Sequence, residues 1–551
     1  MKINWLRTAT LATAVSAGLP LAAHAQSPDY HLSDAQSSDA VVDPSAMSRS
    51  KISLSDIGEE IVFPATNLST SQVPSSHSRA NYNGSGYSAT ALASHSLLSE
   101  GCQADCAADA ACDASTSCGC DDCCDSCGCG CLDWLNCWPC GCALSDLGDA
   151  CLLADHFCCF KERGGVIGGW LAQSYVWNPY QPEDRFNGPM TWTDRANDYQ
   201  MNEVYFYAGR AANTEGCGFD WGWRVDSIYG TNYRWNTSGG FETNFGNGQF
   251  YGWAIPQVYA ETAYNDLSIK WGRFYSPVGY YVVGQANNFF PVLPYTFQYG
   301  EPFTHTGALA TYKLSDSLTV GGGITHGWDA SDNTANPHAG GLATATWTID
   351  DQRSLAYVGV FGPEPNFSGV NPANTSLGIV GYTTRYLQTL AYIRKFSDDI
   401  TGVIQSDFGW QKDALFNPNQ ELVDAKWYGV NAYLYWNQTC RLQWGLNAEW
   451  FRDQGGYRVG SLFPSFGSPN ASGLGSDQST GNFFTRTGYD GSFYRVMFGP
   501  KYYFTPNIYG RAAFAADWYD GKTNNPGNLE PFDNGLRDHQ EAVVFDLIAT
   551  F

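Results

Sequence analysis

The chain has 551 residues and a formal net charge of −24, and charged and aromatic residues each make up 15% of it. Ordinary soluble domains carry about 25% charged residues, so this composition disfavours a solvated globular protein. The acidic balance also excludes nucleic acid as a partner, because phosphates require a basic surface.

Residues 1–25 have the features of an export signal. Lys2 and Arg7 precede an apolar run at 9–23, and Ala23 and Ala25 provide the small residues that a signal peptidase requires. The run is shorter than the roughly 20 strongly apolar residues of a spanning helix. A signal peptide cleaved after Ala25 is therefore favoured over a membrane anchor.

Residues 26–100 are rich in Ser, Ala, Asn and Asp and have few large apolar side chains. Such a segment cannot bury a core, which predicts a disordered linker.

Residues 101–160 form a cysteine-rich, acidic segment. Sixteen of the eighteen cysteines lie between positions 102 and 159, and residues 1–160 hold 18 acidic but only 5 basic side chains. Behind an export signal, cysteines are expected to form disulfides, because the periplasm is oxidising. Metal ligation and cross-links to neighbouring envelope proteins remain as alternatives. We expect this segment to lie in the periplasm.

From residue 164 the sequence becomes a series of alternating segments with separators of two lengths. The short separators have the composition of tight turns and lie at 212–218, 264–266, 315–317, 351–353, 397–399, 437–440 and 505–507. The long ones lie at 180–200, 232–250, 276–302, 329–340, 362–376, 411–424, 453–490 and 520–539. Outer-membrane barrels have short periplasmic turns and long external loops. Eight long and seven short separators predict sixteen strands.

The strands themselves alternate with a period of two. In the segment that starts at Arg441, Leu442, Trp444 and Leu446 share one face, while Gln443 shares the other with Arg441. The predicted fold class is therefore all-β: a transmembrane antiparallel β-barrel of about 16 strands over residues 164–551. A soluble β-sandwich or propeller would also alternate, but it explains neither the loop asymmetry nor the aromatic residues at the ends of the apolar faces.

The last strand also ends the chain. Val543, Phe545, Leu547, Ala549 and Phe551 point to one side. A final strand with a terminal Phe resembles the targeting signal that the barrel assembly machinery reads in bacterial outer-membrane barrels. Phe551 is accordingly the candidate assembly signal, and outer-membrane lipid is the expected surrounding.

Residues 270–307 contain the most specific sequence motifs of the chain. KWGRFYSPVGY at 270–280, NNFF at 287–290 and QYGEPFTHTG at 298–307, with GGW at 168–170 and RVDSIYG at 224–230, resemble the OmpL-like family of β-barrel porins. The resemblance covers about residues 164–551 and implies a porin-like outer-membrane fold. The resemblance does not indicate which solute is transported.

The leading functional hypothesis is a channel for passive diffusion of small hydrophilic solutes or ions. The alternative is a structural envelope anchor, whose plugged barrel carries a cross-linked cysteine-rich layer. The candidate pore-lining residues, seven acids and six bases that predict weak cation preference at most, are Glu203, Asp220, Arg224, Asp226, Lys270, Asp407, Arg441, Glu449, Arg495, Lys501, Arg511, Asp517 and Asp546.

The third long separator, 276–302, is too apolar for a freely solvated loop and is the candidate constriction of the pore. Its candidate constriction residues are Tyr280, Tyr281, Phe289, Phe290, Tyr295 and Phe297. The competing interpretation places these aromatic rings on the outer rim or against a second barrel in a homo-oligomer.

No catalytic residue, cofactor or metal site is predicted. The sequence contains neither a nucleophile elbow, nor a metalloprotease motif, nor a P-loop. His305, His326 and His338 raise the hypothesis of a Ser–His hydrolase. His326 shares a face with Val320 and Ile324, outside the lumen, and all three are interpreted as loop or interfacial histidines.

Overall fold

A computed structural model describes residues 163–551 with gaps at 239–240, 243–249, 333–335, 367–380, 417–420, 460–488 and 524–529, and also residues 153, 157, 160 and 161. The predicted signal peptide, the linker and nearly all of the cysteine-rich segment lie outside the described residues. The strands are β1 (Gly165–Trp177), β2 (Tyr199–Arg210), β3 (Phe219–Gly230), β4 (Gly252–Tyr264), β5 (Leu267–Tyr275), β6 (Thr304–Lys313), β7 (Leu318–Thr325), β8 (Gly340–Asp350), β9 (Arg353–Asn366), β10 (Gly381–Lys395), β11 (Ile400–Phe416), β12 (Leu422–Asn437), β13 (Leu442–Gln454), β14 (Tyr489–Tyr503), β15 (Ile508–Thr523) and β16 (His539–Thr550).

The sixteen strands form one closed antiparallel barrel in which each strand pairs with its neighbours in sequence and β16 pairs with β1. This confirms the predicted fold class and strand number. Short turns join the strands at one end, here called the turn side. At the other end, here called the loop side, the connections are numbered L1 to L8 in chain order. L1 spans residues 178–198, L2 231–251, L3 276–303, L4 326–339 and L7 455–488.

The alternation of β13 shows why these segments form strands of a membrane barrel. Leu446 and Trp450 point outward and are exposed, whereas Gln443, Asn447 and Glu449 point inward and are buried. A strand with an apolar outer face and a polar inner face suits lipid on one side and the lumen on the other.

Exposed aromatic rings form two girdles on the outer face. Trp and Tyr rings are favoured at both interfaces of a membrane, because one end of the ring is apolar and the other is polar. On the loop side the girdle includes Trp177, Trp253, Trp450 and Trp518, and on the turn side it includes Tyr264, Tyr312, Trp347, Trp436 and Tyr502.

Phe551 lies at the seam that closes the barrel. Its N–H donates to Gly169 O at 3.0 Å, and Gly169 N–H donates to Phe551 O at 2.9 Å. The Phe551 ring lies on the outer face, 6.1 Å from the ring of Phe206. Position 169 requires glycine, because a Cβ there would lie 2.2 Å from Tyr205 O and 2.7 Å from the Phe551 ring. The last residue therefore contributes both backbone pairing and packing to the closure.

The connection predicted at 411–424 is shorter than expected. β11 continues to Phe416 and β12 begins at Leu422. Trp410 Nε1 donates to Asp424 Oδ2 at 2.9 Å, and Asp413 N–H donates to the other oxygen of Asp424 at 3.1 Å. The prediction of a long connection was wrong here, because the two paired strands continue with polar residues that the sequence pattern assigned to a loop.

L2 contains the short helix α1 (Tyr233–Asn236), and L3 contains a single 3-10 turn at Gln285–Asn287 and a π-helical turn at Thr296–Gly300. No helix in the described part of the chain is long and apolar enough to span a membrane.

Candidate functional site

L3 folds into the barrel, and almost all of its side chains are buried. All six candidate constriction residues are at most 5% exposed. The Tyr281 ring stacks 5.4 Å from Tyr433 on the inner face of β12, and the Tyr295 ring lies 4.8 Å from Phe493 on the inner face of β14. The structure thus places these rings against the inner wall rather than on the outer rim.

Glu449 of β13 fastens the middle of L3. Its carboxylate accepts the backbone N–H groups of Tyr295 at 2.7 Å and Thr296 at 2.6 Å, and the Thr296 hydroxyl at 2.8 Å. Asn431 of β12 donates to the same hydroxyl oxygen at 3.0 Å. Charge-assisted hydrogen bonds of this kind are the strong ones, so a candidate pore-lining acid acts here on loop backbone.

Two arginines of the wall hold the carbonyl groups of L3. Arg495 of β14 donates to Leu293 O. Arg511 of β15 donates to Gln285 O at 3.2 Å and also to Asn288 O. Carbonyl groups in a buried loop require donors, and these side chains supply them.

Glu203 of β2 holds the first part of L3. It accepts the Trp170 indole N–H at 2.8 Å, the Asn232 amide at 2.9 Å and the Gln285 backbone N–H at 3.1 Å. The Gln285 side chain reaches across to Asp546 at 3.2 Å. L3 is thereby connected to both sides of the barrel seam.

The end of L3 rests on a pair of acids. Gln405 of β11 donates to Glu301 at 2.5 Å and to Asp407 at 2.9 Å, and its own oxygen accepts Tyr280 N–H at 2.8 Å. Burial, and then the charge of Asp407, raise the pKa of the loop residue Glu301 well above its ordinary value.

Six of the candidate pore-lining residues form three buried ion pairs. Within each pair the opposite charges cancel, and a buried pair is stable only when its remaining polar atoms are also hydrogen-bonded. The pairs are Arg224–Asp226, Arg495–Asp517 and Arg511–Asp546.

The remaining candidates lie nearer the turn side. Asp220 pairs with Arg210 at 2.9 Å, and Arg441 donates to Phe504 O at 3.0 Å beside a turn. The Lys270 and Lys501 ammonium groups lie over aromatic rings, 5.0 Å from Tyr259 and 4.2 Å from Tyr509 respectively.

A family model described as "Putative beta-barrel porin-2, OmpL-like" matches residues 166–551. The chain belongs to this family. Similar solved structures include in-vitro folded OmpT of Vibrio cholerae, with 10% identity, a TM-score of 0.43, and coverage of 70% of this chain and 97% of that one. The channel DcaP of Acinetobacter baumannii has 8% identity, a TM-score of 0.44, and coverage of 70% of this chain and 97% of that one. OprB of Pseudomonas putida has 11% identity, a TM-score of 0.43, and coverage of 71% of this chain and 95% of that one. No curated protein matches the chain in sequence.

In this OmpL-like barrel, His305 is neither a loop nor an interfacial residue. It lies in β6 with its side chain fully buried, and Nδ1 donates to Gly327 O at 3.0 Å. Nε2 therefore accepts the Ser276 hydroxyl at 3.1 Å, and Ser276 Oγ in turn accepts Val278 N–H at 3.3 Å. These contacts fix the start of L3 to the start of L4. His326 directly follows β7 and is partly buried, with Nδ1 3.3 Å from Asn336 O.

Several residues that position L3 were absent from the prediction. Gln405 occupies the inward row of Asp407, and the period of two could have identified it. Gln298 binds L1 through Thr191, whose N–H and hydroxyl it accepts at 3.1 and 2.8 Å. Arg458 of L7 donates to Tyr299 O at 2.6 Å, and no pattern in the sequence indicates that contact. Among the described residues, no group of three or more His, Cys, Asp or Glu is arranged to hold a metal ion.

Proposed function

We propose that the chain is an outer-membrane channel for passive diffusion of small hydrophilic solutes or ions, with L3 as its constriction. The observation that carries the proposal is the insertion of L3 into a closed barrel of sixteen strands. Barrels of that size leave room for a water-filled passage, and a loop folded inside narrows it. Membership of the OmpL-like porin family supports the same function.

In this proposal four of the thirteen candidate pore-lining charges act by holding L3. Glu203, Glu449, Arg495 and Arg511 contact its backbone, so they set the shape of the constriction. Because many of the charges are paired, we expect weak ion selectivity. The channel requires neither a cofactor nor a catalytic residue.

The test is conductance of the purified full-length protein in planar lipid bilayers. The proposal expects discrete single-channel steps under an applied voltage, with a reversal potential near zero in a salt gradient. Protein that inserts and is heat-modifiable on gels, yet passes no current, would contradict it.

A second candidate is a structural envelope anchor with a plugged pore. It is favoured by the extent to which L1, L3 and L7 pack together inside the barrel, through Thr191, Gln298, Tyr299 and Arg458. The anchor predicts no current from the wild type. It also predicts disulfide-linked envelope proteins on the cysteine-rich segment, which non-reducing gels of whole envelopes would detect.

Further parts of the proposal concern location and partners. We infer cleavage after Ala25, a cysteine-rich segment in the periplasm, and insertion by the barrel assembly machinery through Phe551. A homo-oligomer is compatible with the exposed apolar outer face. Cross-linking in native membranes tests it.

A further inference from the structure

The inner wall of β5–β9 carries residues with hydroxyl groups on the turn side that are half-buried or exposed. We call these residues the hydroxyl strip. Its members are Ser268 on β5, Thr311 on β6, Thr319 on β7, Thr344, Thr346 and Thr348 on β8, and Ser354 on β9.

Strand register places the hydroxyl strip inside the barrel. Thr311 is opposite Gly321, and Gly321 is opposite Thr344, in one continuous row. The adjacent positions Tyr312 and Trp347 are exposed on the outer face, 45% and 47% respectively. Because side chains alternate along a strand, the hydroxyl groups point to the lumen. β7 adds no side chain at Gly321, so the wall is thin there.

The opposite wall has a different character. The inner face of β11–β15 on the turn side carries large side chains that are at most 5% exposed, including Val403, Tyr433, Tyr435, Met497 and Tyr509. The hydrogen bonds from L3 to Gln405, Glu449, Arg495, Arg511 and Glu203 run to this wall and to β2. These hydrogen bonds fasten L3 on the side of the lumen away from the hydroxyl strip. Nearer the loop side, L3 shares a buried apolar cluster with Leu309 of β6, Leu342 of β8 and Val358 of β9.

The charges closest to the strip are balanced. Ser268 Oγ donates to Glu261 Oε1 at 2.6 Å, and Glu261 is opposite Lys270 in the register of β4 and β5. Lys313, which is opposite Thr319, pairs with Asp316 at 2.8 Å, and Arg353, which precedes Ser354, pairs with Asp350. Such pairs of one acid and one base leave no net charge beside the strip for selecting an ion by its sign.

We propose that solutes travel along the hydroxyl strip, and that the channel thereby favours small neutral molecules rich in hydroxyl groups. This inference rests on the proposed channel function and adds its solute class. A hydroxyl group both donates and accepts, so a row of Ser and Thr replaces the water that a hydroxylated solute sheds on entering a narrow passage. The lining of a pore sets its selectivity in this way.

The first test removes hydroxyl groups without changing shape. The triple variant Thr311→Val, Thr344→Val, Thr346→Val is compared with wild type in liposome swelling, using arabinose and zwitterionic glutamine as probes. We expect arabinose entry to fall several-fold relative to glutamine entry. The matched control is Thr384→Val, an exposed outward position on β10, which should leave both rates unchanged. Equal arabinose-to-glutamine ratios in the triple variant and the wild type overturn the solute class.

The second test locates the path itself and keeps the inference falsifiable if the triple variant folds poorly. Thr346→Lys and Thr346→Glu should shift the reversal potential in a KCl gradient in opposite directions, whereas Thr384→Lys and Thr384→Glu should not. Wild-type reversal potentials in both Thr346 variants, with conductance intact, mean that the path lies elsewhere. If the wild type neither conducts ions nor admits either probe, that result would instead contradict the proposed channel function.

Discussion

Replacing Glu449 by Gln should release the middle of L3 and enlarge the pore. The carboxylate accepts three hydrogen bonds from Tyr295 and Thr296 within a site where Glu449 is only 5% exposed. The Gln side chain has nearly the same size as Glu, but its NH₂ group must point at one or more of the N–H and O–H groups that donate to the carboxylate in the wild type.

The expected cost follows from those three contacts. A hydrogen bond to a charged group contributes about 1.5–3 kcal/mol, and a buried donor left without a partner costs about 1–3 kcal/mol. Since Gln retains one acceptor oxygen, we expect docking of L3 to weaken by about 2–4 kcal/mol. At 1.4 kcal/mol per tenfold change, the ratio of docked to undocked loop falls roughly 30- to 700-fold.

The assay is single-channel recording of the variant beside wild type. Glu449→Gln should give larger and noisier conductance steps, because the undocked loop leaves the lumen intermittently. The control is Glu541→Gln on β16, since Glu541 accepts a hydrogen bond from Tyr180 of L1 and not from L3. A heat-modifiable, inserted Glu449→Gln protein with wild-type step size and noise would refute the assignment of Glu449 as an anchor of the constriction.

Four further predictions use other parts of the chain. Deleting Phe551 should lower outer-membrane levels without changing secretion across the inner membrane, and unchanged levels of inserted, heat-modifiable protein would count against its role in closure. Removing residues 286–296 should raise conductance, and unchanged conductance of the inserted variant would show that L3 does not constrict the pore. Thiol counting under denaturing, non-reducing conditions should find few reactive cysteines at 102–159, and stoichiometric zinc release with most thiols reactive would favour metal ligation. Burial and the charge of Asp407 raise the pKa of Glu301, so docking of L3 is strongest below the ordinary pKa of 4.5 and weakens as the pH rises through the raised pKa. Current noise should therefore increase with pH, and Glu301→Gln should make the noise less dependent on pH.

The barrel could be predicted because its signals are local. Alternation with a period of two and turn residues at fixed spacing depend only on neighbours in sequence, and they gave sixteen strands. The error at 411–424 has a physical cause. Lys412 and Asp424 are polar residues on the outer face of strands, and a prediction based on hydropathy assigns such residues to a loop.

The site was predicted only in part, since its contacts join distant segments. The aromatic and apolar composition of L3 indicated that this loop is covered and not freely solvated. The contact between Arg495 and Leu293 spans 202 residues, and that between Arg511 and Gln285 spans 226. Such pairs depend on where the backbone of L3 lies within the barrel, which no local pattern specifies.

A count of inward-facing charges therefore says little about ion selectivity in this barrel. The prediction from seven acids and six bases assumes that each of these side chains faces water. In the structure, Arg495 and Asp517 are at most 1% exposed and paired with each other, and the Arg511–Asp546 pair is also buried. Charges in buried pairs cancel at short range and are remote from a passing ion. Selectivity must then come from groups that a solute can reach, and on the described inner wall these include the hydroxyl groups of β5–β9 with Lys270 at their edge.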